Sequence, residues 1–244
     1  RRVLFRSARS RQVARALDAW KLPAGSRVAT LAWNHVQHLE AYVGIPLAGA
    51  VLHTLNLRLH PDDLAYIAND AGDTVLLVDE TLLPLLDQFR QRVSLRHVVV
   101  MQRTGALPAG MLDYESLVGA HAERPGDPDP EDERQAAALC YTSGTTGRPK
   151  GVLYSHRAIV LHSLIGGMVD GLGIGEADTV LPVVPMFHVN AWGLPFSAVL
   201  TGAKLVFPGP KLSAPEVLTD LITQEGVTVS AGVPTVCLPL LQYA

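Results

Sequence analysis

Two hydrophobic patterns alternate along the chain: apolar residues at helical spacing, and short unbroken apolar runs. The helical spacing predicts helices over residues 8–20, 35–48, 61–71, 82–92, 156–169, 189–200 and 215–224, and a last helix from residue 234. The unbroken runs predict buried strands over residues 27–33, 50–54, 74–79, 97–101, 136–141, 179–184, 203–207 and 227–231. Short strands that alternate with helices of this length are typical of α/β proteins. We therefore predict an α/β fold with mainly parallel sheets.

Residues 102–134 interrupt this alternation. They contain several prolines and the acidic run Asp127–Glu133, a composition typical of a connecting loop. This predicts two α/β subdomains, residues 8–134 with the connecting loop and residues 135–244. Residues 1–7 lack a starting methionine and resemble the translation of a sequencing-adapter oligonucleotide, so we expect a non-native leader.

Composition excludes several classes of protein. Lysine and arginine number 20 against 23 aspartate and glutamate residues, and this net charge of −3 favours neither a nucleic-acid partner nor an anionic membrane surface. No apolar run approaches the roughly 20 residues of a transmembrane helix. The cysteines, Cys140 and Cys237, lack metal-ligand spacing and fit a reduced compartment, so we expect a cytoplasmic protein. His35 and His38 have no evident third ligand, and we assign them no metal.

Hydroxyl side chains, glycines and a lysine are concentrated in residues 141–151, Tyr-Thr-Ser-Gly-Thr-Thr-Gly-Arg-Pro-Lys-Gly. Glycine lets backbone N–H groups approach an anion, hydroxyls donate hydrogen bonds, and lysine adds positive charge, so this composition suits phosphate binding. A Walker A loop is excluded, because the fifth residue after Gly144 is Pro149 and Lys150 is followed by Gly151. An ordinary polar hairpin loop is the alternative.

The same run resembles the signature loop of the adenylate-forming superfamily, which includes acyl-CoA synthetases, luciferases and the adenylation domains of peptide synthetases. The resemblance implies that a carboxylate attacks the α-phosphate of ATP to give an acyl-adenylate and pyrophosphate, and that the thiol of coenzyme A then displaces AMP. It implies Mg²⁺ near Thr145. Arg148 is chemically suited to phosphate, but it is not among the implied phosphate-binding residues, because the matching family position is not fixed. The implied phosphate-binding residues are Thr142, Ser143, Gly144, Thr145, Thr146, Gly147 and Lys150.

A second candidate is the aromatic segment, residues 182–196, which holds His188 and Trp192 among apolar residues. By spacing alone, a lone histidine here is more often a core residue. Residues 186–192, Met-Phe-His-Val-Asn-Ala-Trp, resemble a motif of fatty-acyl-CoA synthetases at the junction of the nucleotide and acyl pockets. The resemblance makes Trp192 the gate of the acyl tunnel and places Phe187, His188 and Val189 on the pocket wall; the alternative is that Trp192 fills the core.

The run Ala231-Gly-Val-Pro-Thr235 is similar to a segment that borders the carboxylate substrate in these synthetases, which adds Gly232 and Pro234 to the candidates. This signal is weaker, because a strand followed by glycine and proline is common in α/β proteins.

The resemblance implies a fatty-acyl-CoA synthetase that uses a fatty acid or other carboxylate, ATP, Mg²⁺ and coenzyme A. Two alternatives stay open: a ligase for aryl or short-chain carboxylates, and a binding module for nucleotide or acyl groups without chemistry. The family's adenine, ribose, magnesium-glutamate and C-terminal-lysine segments have no counterpart in these residues, so we expect an incomplete N-terminal domain, inactive by itself, with exposed apolar surface. Many relatives dimerise through this domain, but the sequence gives no evidence of an interface.

Overall fold

The computed structural model describes residues 2–122, 132–142 and 147–243. The chain divides into two compact units. The first unit comprises Arg1–Ala32 and Gln37–His156, and the second comprises Trp33–Val36 and Arg157–Ala244.

The first unit is built on a seven-stranded sheet of order β5-β4-β3-β1-β2-β6-β7. All neighbouring strands are parallel except β6 and β7, which form an antiparallel pair. The strands are β1 Arg27–Leu31, β2 Val51–Thr54, β3 Val75–Asp79, β4 His97–Met101, β5 Leu112–Asp113, β6 Ala136–Tyr141 and β7 Gly151–Ser155. The helices of this unit are α1 Arg2–Asp18, α2 Val36–Leu47, α3 Pro61–Ala71, α4 Leu83–Asp87 and α5 Tyr114–Gly119.

The central strands of this sheet read as apolar runs because they are buried on both faces, as parallel strands usually are. Helix α3 follows the local signals of its sequence. Proline stands at its first turn, Asp62 and Asp63 lie at its positive end, and Gly72 closes it with φ of 69°. Its apolar side chains, including Leu64 and Ile67, are buried.

The second unit contains a three-stranded parallel sheet of order β10-β8-β9. Its strands are β8 Thr179–Pro182, β9 Lys204–Leu205 and β10 Val229–Ala231, and its helices are α6 His156–Gly167, α7 Leu194–Thr201, α8 Pro215–Glu225 and α9 Pro234–Tyr243. Successive residues of β8 point to opposite faces of the sheet. Val180 therefore joins a core cluster with Leu194, whereas Leu181 joins a second cluster with Leu218.

The predicted α/β fold with mainly parallel sheets is confirmed. Three differences from the sequence prediction concern residues 82–92, 102–134 and 189–193. The helix expected over residues 82–92 is interrupted, because the backbone turns at Phe89 (φ −132°) and buries its ring. The expected connecting loop contains β5 and α5, and the Asp113 carboxylate caps α5 by accepting a 2.8 Å hydrogen bond from the backbone N–H of Ser116. The third difference is the start of α7, described below.

The boundary of the two units also differs from the one predicted at residue 134. Strand β6 pairs with β2 in parallel, and β7 pairs with β6, so both belong to the first sheet. The division therefore follows His156. Proline and acidic composition marked a loop in the sequence, but strand pairing decides which unit a segment joins.

Several large apolar side chains are exposed. They include Leu153 on β7 and Val160, Leu161, Leu164 and Ile165 on α6. None of the helices that the structure describes is both long and apolar enough to cross a membrane.

Candidate functional site

The signature loop, residues 141–151, joins β6 to β7, two paired strands. Tyr141 at the end of β6 faces Gly151 at the start of β7, and the backbone N–H of Thr142 donates a 3.0 Å hydrogen bond to the carbonyl of Lys150. The two limbs of the loop therefore meet at a fixed base. Ser143, Gly144, Thr145 and Thr146 lie outside the described residues, so their predicted roles toward phosphate and Mg²⁺ stay predictions.

Three of the predicted phosphate-binding residues are described: Thr142 at the base of the loop, and Gly147 and Lys150 on the second limb. Gly147 has φ of +107°, a conformation that glycine adopts without steric cost. The Thr142 and Lys150 side chains are exposed, whereas Pro149 on the second limb is buried. Lys150 can therefore present its ammonium group to a ligand while its carbonyl closes the loop base.

Tyr141 anchors the base of the loop to α3. Its hydroxyl donates a 2.7 Å hydrogen bond to Asp70 Oδ2, and burial together with the Asp70 carboxylate raises the pKa of Tyr141 well above its ordinary value. The Tyr141 ring also lies against Gly151, where an added Cβ would come within 3.2 Å of the ring carbon Cζ. On the other limb, the Arg148 guanidinium carbon lies 4.9 Å from the centre of the Tyr66 ring, a cation–π contact.

A buried histidine–aspartate pair lies beside Tyr141. The His53 ring centre is 5.3 Å from that of Tyr141, and His53 Nδ1 is 2.8 Å from Asp73 Oδ2 with both side chains fully buried. Burial raises the pKa of Asp73 above its ordinary value, and the charges of His53 and Arg27 oppose this shift. His53 Nε2 has no hydrogen-bond partner among the described residues. Sequence reasoning did not single out this pair.

The aromatic segment forms a left-handed turn where the sequence predicted a helix from residue 189. Val189, Asn190, Ala191, Trp192 and Gly193 all have positive φ, between 46° and 73°, and α7 begins only at Leu194. Left-handed conformations cost about 1–2 kcal/mol for each residue with a side chain. Local pattern could not predict this turn, because apolar helical spacing favours a right-handed helix. Strain of this kind is concentrated at functional sites.

This turn separates buried from exposed side chains. Asn190 and Ala191 are buried, whereas His188, Val189 and Trp192 are exposed. Trp192 is 44% exposed, so the alternative in which it fills the core is wrong. Phe187 is buried instead and makes an edge contact with Trp33, with ring centres 6.2 Å apart. The expectation that Phe187 stands on the pocket wall beside His188 stays a prediction.

Asn34 holds the chain that leads into this turn. Its buried side-chain amide donates hydrogen bonds to the carbonyls of Pro182 and Val184, at 2.9 and 3.1 Å, and its Oδ1 accepts a 2.7 Å hydrogen bond from the backbone N–H of Met186. The sequence analysis gave Asn34 no such role. The available signal was an asparagine directly after the apolar run of residues 27–33, where a buried amide must find partners.

Gly232 and Pro234 follow β10 at the sheet edge where β8 also ends. Strands β8 and β10 are parallel neighbours, and the Val184 N–H donates a 3.0 Å hydrogen bond to the Ala231 carbonyl. A Cβ at Gly232 would lie 3.2 Å from Cys237 Sγ and 3.6 Å from Val183 Cβ. The structure thus brings both segments to the carboxyl edge of the second sheet, the edge at which open α/β sheets bind ligands.

Replacing Gly193 by alanine tests the backbone geometry of this turn. Gly193 has φ of +73°, and an added Cβ would lie 2.6 Å from His162 Nδ1. We expect a loss of about 2 kcal/mol in the free energy of unfolding, part from the left-handed backbone and part from displacement of His162. Gly173→Ala is the matched control, because Gly173 has φ of +64° and no atom within 4 Å of an added Cβ. Equal losses in urea unfolding would show that the imidazole moves aside freely.

Within residues 2–122, 132–142 and 147–243, no three histidine, cysteine, aspartate or glutamate side chains are grouped so that they could hold a metal ion.

Comparison with known proteins assigns this architecture. Residues 7–244 match the model of the family described as AMP-binding enzyme. A long-chain-fatty-acid–CoA ligase of Thermus thermophilus is 53% identical over 236 residues, which cover 96% of this chain and 42% of the relative. A medium-chain-fatty-acid–CoA ligase of Ectopseudomonas oleovorans is 47% identical over 238 residues, with coverages of 96% and 43%.

Solved structures give the same fold. The crystal structure of a long-chain-fatty-acid–CoA ligase from Archaeoglobus fulgidus matches with a TM-score of 0.86 and 22% identity, covering 98% of this chain and 46% of that chain. The chain therefore spans less than half the length of each of these three proteins.

Proposed function

Because the chain belongs to the AMP-binding enzyme family, we propose that its protein is an ATP-dependent acid–thiol ligase that activates a fatty acid. The carboxylate would attack the α-phosphorus of ATP, with release of pyrophosphate, and the thiol of coenzyme A would then displace AMP to give the acyl-CoA. The observation that carries this proposal is the signature loop, closed at its base by the hydrogen bond between Thr142 and Lys150.

The chemistry requires neutralisation of charge, because the carboxylate and the phosphate it attacks are both anions. The Lys150 ammonium would bind phosphate oxygens, with the hydroxyls of Thr142, Ser143, Thr145 and Thr146 and the backbone N–H groups of Gly144 and Gly147 as further donors. Mg²⁺, which accompanies ATP, would supply further positive charge, and Thr145 is the residue we propose near it.

The carboxyl edge of the second sheet is the surface we propose for the acyl group. The left-handed turn exposes Val189 and Trp192, which supply apolar area, and His188 beside them supplies a polar group. Gly232 and Pro234 border the same edge. A large flat indole can change rotamer as one rigid body, which suits a gate on an apolar tunnel.

Lys150→Ala tests the proposed role of the loop. We expect kcat/KM for ATP to fall about thirtyfold, because a hydrogen bond to a charged group contributes about 2 kcal/mol. Lys211→Ala, which removes an exposed lysine outside the loop, is the control and should keep wild-type activity. The assay follows acyl-CoA formation by the protein as its source gene encodes it, with magnesium ATP and coenzyme A.

The same assay with a panel of carboxylic acids separates the fatty-acid ligase from the aryl or short-chain ligase and from the binding module. Acetate, octanoate, palmitate and benzoate distinguish short-chain, fatty and aryl preference. Turnover only with acetate or benzoate would replace the fatty-acid assignment. ATP binding without product from any of these acids would favour a binding module. Undiminished activity of Lys150→Ala would contradict the proposed contact between Lys150 and phosphate.

A cytoplasmic location is part of the proposal, since all three substrates are available there.

A further inference from the structure

Helix α3 contacts both limbs of the signature loop. Asp70 accepts the hydrogen bond from the Tyr141 hydroxyl, at 2.7 Å, on the first limb. Tyr66 lies under the Arg148 guanidinium on the second limb, with 4.9 Å between the guanidinium carbon and the ring centre. Residues spaced as Tyr66 and Asp70 lie on one face of a helix, so a single turn of α3 makes both contacts.

This helix is a rigid support. Leu64, Ile67 and Ala68 are buried, with at most 3% of their surface exposed. The left-handed Gly72 closes the helix with backbone N–H bonds to Ala68 and Asn69. A side chain on α3 can therefore hold a loop in place, because displacing the helix would disturb the core.

The Tyr141 ring is confined on its other sides as well. Gly151 leaves room for the ring, and an added Cβ there would come within 3.3 Å of two ring atoms. The buried His53 ring lies 5.3 Å away, measured between centres, and is itself held by Asp73. With its hydroxyl bound to Asp70, the tyrosine has little freedom in either tilt or translation.

We propose that Tyr66 and Asp70 of α3 set the position of the two described limbs of the signature loop, residues 141–142 and 147–151, for ATP binding, acting through Arg148 and Tyr141. All four are positioning residues, and none needs to touch the phosphates. The inference rests on the proposed function, since it assumes that the loop binds ATP. A preorganised loop binds more tightly, because less conformational freedom is lost when the ligand arrives.

The first test is a double-mutant cycle on ATP affinity. We expect Tyr141→Phe and Asp70→Ala each to raise the dissociation constant for magnesium ATP about fivefold, the effect of losing a hydrogen bond to a carboxylate near the surface. The double variant should also lose about fivefold rather than twenty-five-fold, because both substitutions remove the same bond. Calorimetric titration of the protein as its gene encodes it gives these constants. KM for ATP should rise in parallel while kcat changes little.

The second test concerns the other limb. Tyr66→Phe keeps the aromatic face and should keep wild-type ATP affinity, whereas Tyr66→Leu removes the face and should weaken binding about threefold. For Asp70→Ala in the first test, the control for overall charge is Asp87→Ala, which removes an exposed carboxylate from α4. Thermal unfolding of each variant shows whether a change in affinity reflects loss of folded protein.

The outcomes separate this inference from the function on which it rests. A wild-type protein that does not bind magnesium ATP overturns both. ATP binding by the wild type with unchanged affinity in Tyr141→Phe and Asp70→Ala overturns the positioning role alone. Additive losses in the double variant do the same, because they would mean that Tyr141 and Asp70 act independently.

Discussion

Replacing Asn34 by alanine is expected to lower the free energy of unfolding of the second unit by about 3 kcal/mol. The substitution removes the amide that binds the carbonyls of Pro182 and Val184 and the N–H of Met186. Buried backbone groups left without these hydrogen bonds cost about 1–3 kcal/mol each, and partial rehydration limits the sum. The chain between β8 and the left-handed turn should lose its fixed course.

Urea unfolding of the wild type and of Asn34→Ala measures this effect. Asn69→Ala is the matched control: Asn69 is exposed on α3 and donates a 2.8 Å hydrogen bond to the Arg92 carbonyl, so its loss should cost under about 1 kcal/mol. A second readout is protease cleavage after residue 182, which should become faster only in Asn34→Ala. Similar losses for the two variants would contradict the special role of Asn34.

Asp73→Ala is expected to destabilise the first unit by about 3 kcal/mol. Asp73 is the partner of His53 Nδ1 at 2.8 Å, and both side chains are fully buried. Removing one member leaves the other as an unpaired buried polar group, whereas removing both avoids that cost. The double variant with His53→Leu and Asp73→Ala should therefore be more stable than Asp73→Ala alone. Chemical unfolding tests this, with the exposed Asp87→Ala as control.

The pair also predicts the sign of a pH dependence. Burial raises the pKa of Asp73. A carboxyl group whose pKa is raised by folding binds protons more strongly in the folded state. Its contribution to stability is therefore full below the unfolded pKa, about 3.9, and is lost as the pH rises through the folded pKa.

We expect the unfolding free energy of the wild type, relative to that of Asp73→Asn, to decrease from about pH 4 to pH 7. Asparagine carries no titrating proton, so the difference reports on the Asp73 carboxyl group together with its interactions with His53 and Arg27. A difference that increased over this range would mean that the charges of His53 and Arg27 outweigh burial.

Local sequence was sufficient for much of the fold. Strands such as Val75–Asp79 were predictable because both faces of a central parallel strand are buried, so the apolar run is unbroken. Helix α3 was predictable because Pro61 stands at its first turn and apolar residues follow at helical spacing. The structure ends the helix at Ala71, as expected. Strand β5 and helix α5 were missed, since each is too short to produce a periodic signal.

The sequence by itself determined the family, because residues 7–244 match the family model. It also predicted a phosphate-binding loop, because hydroxyls, glycines and Lys150 stand together in one contiguous run. Tertiary structure alone decided which sheet that run joins, the left-handed course of residues 189–193, and the contacts of Asn34 and Tyr141. Tyr141 meets Asp70 across 71 positions of sequence, and Asn34 meets Val184 across 150. The physical reason is that a local pattern of apolar residues indicates which face of a helix or strand is buried. Which other element covers that face depends on packing between segments that are distant in sequence.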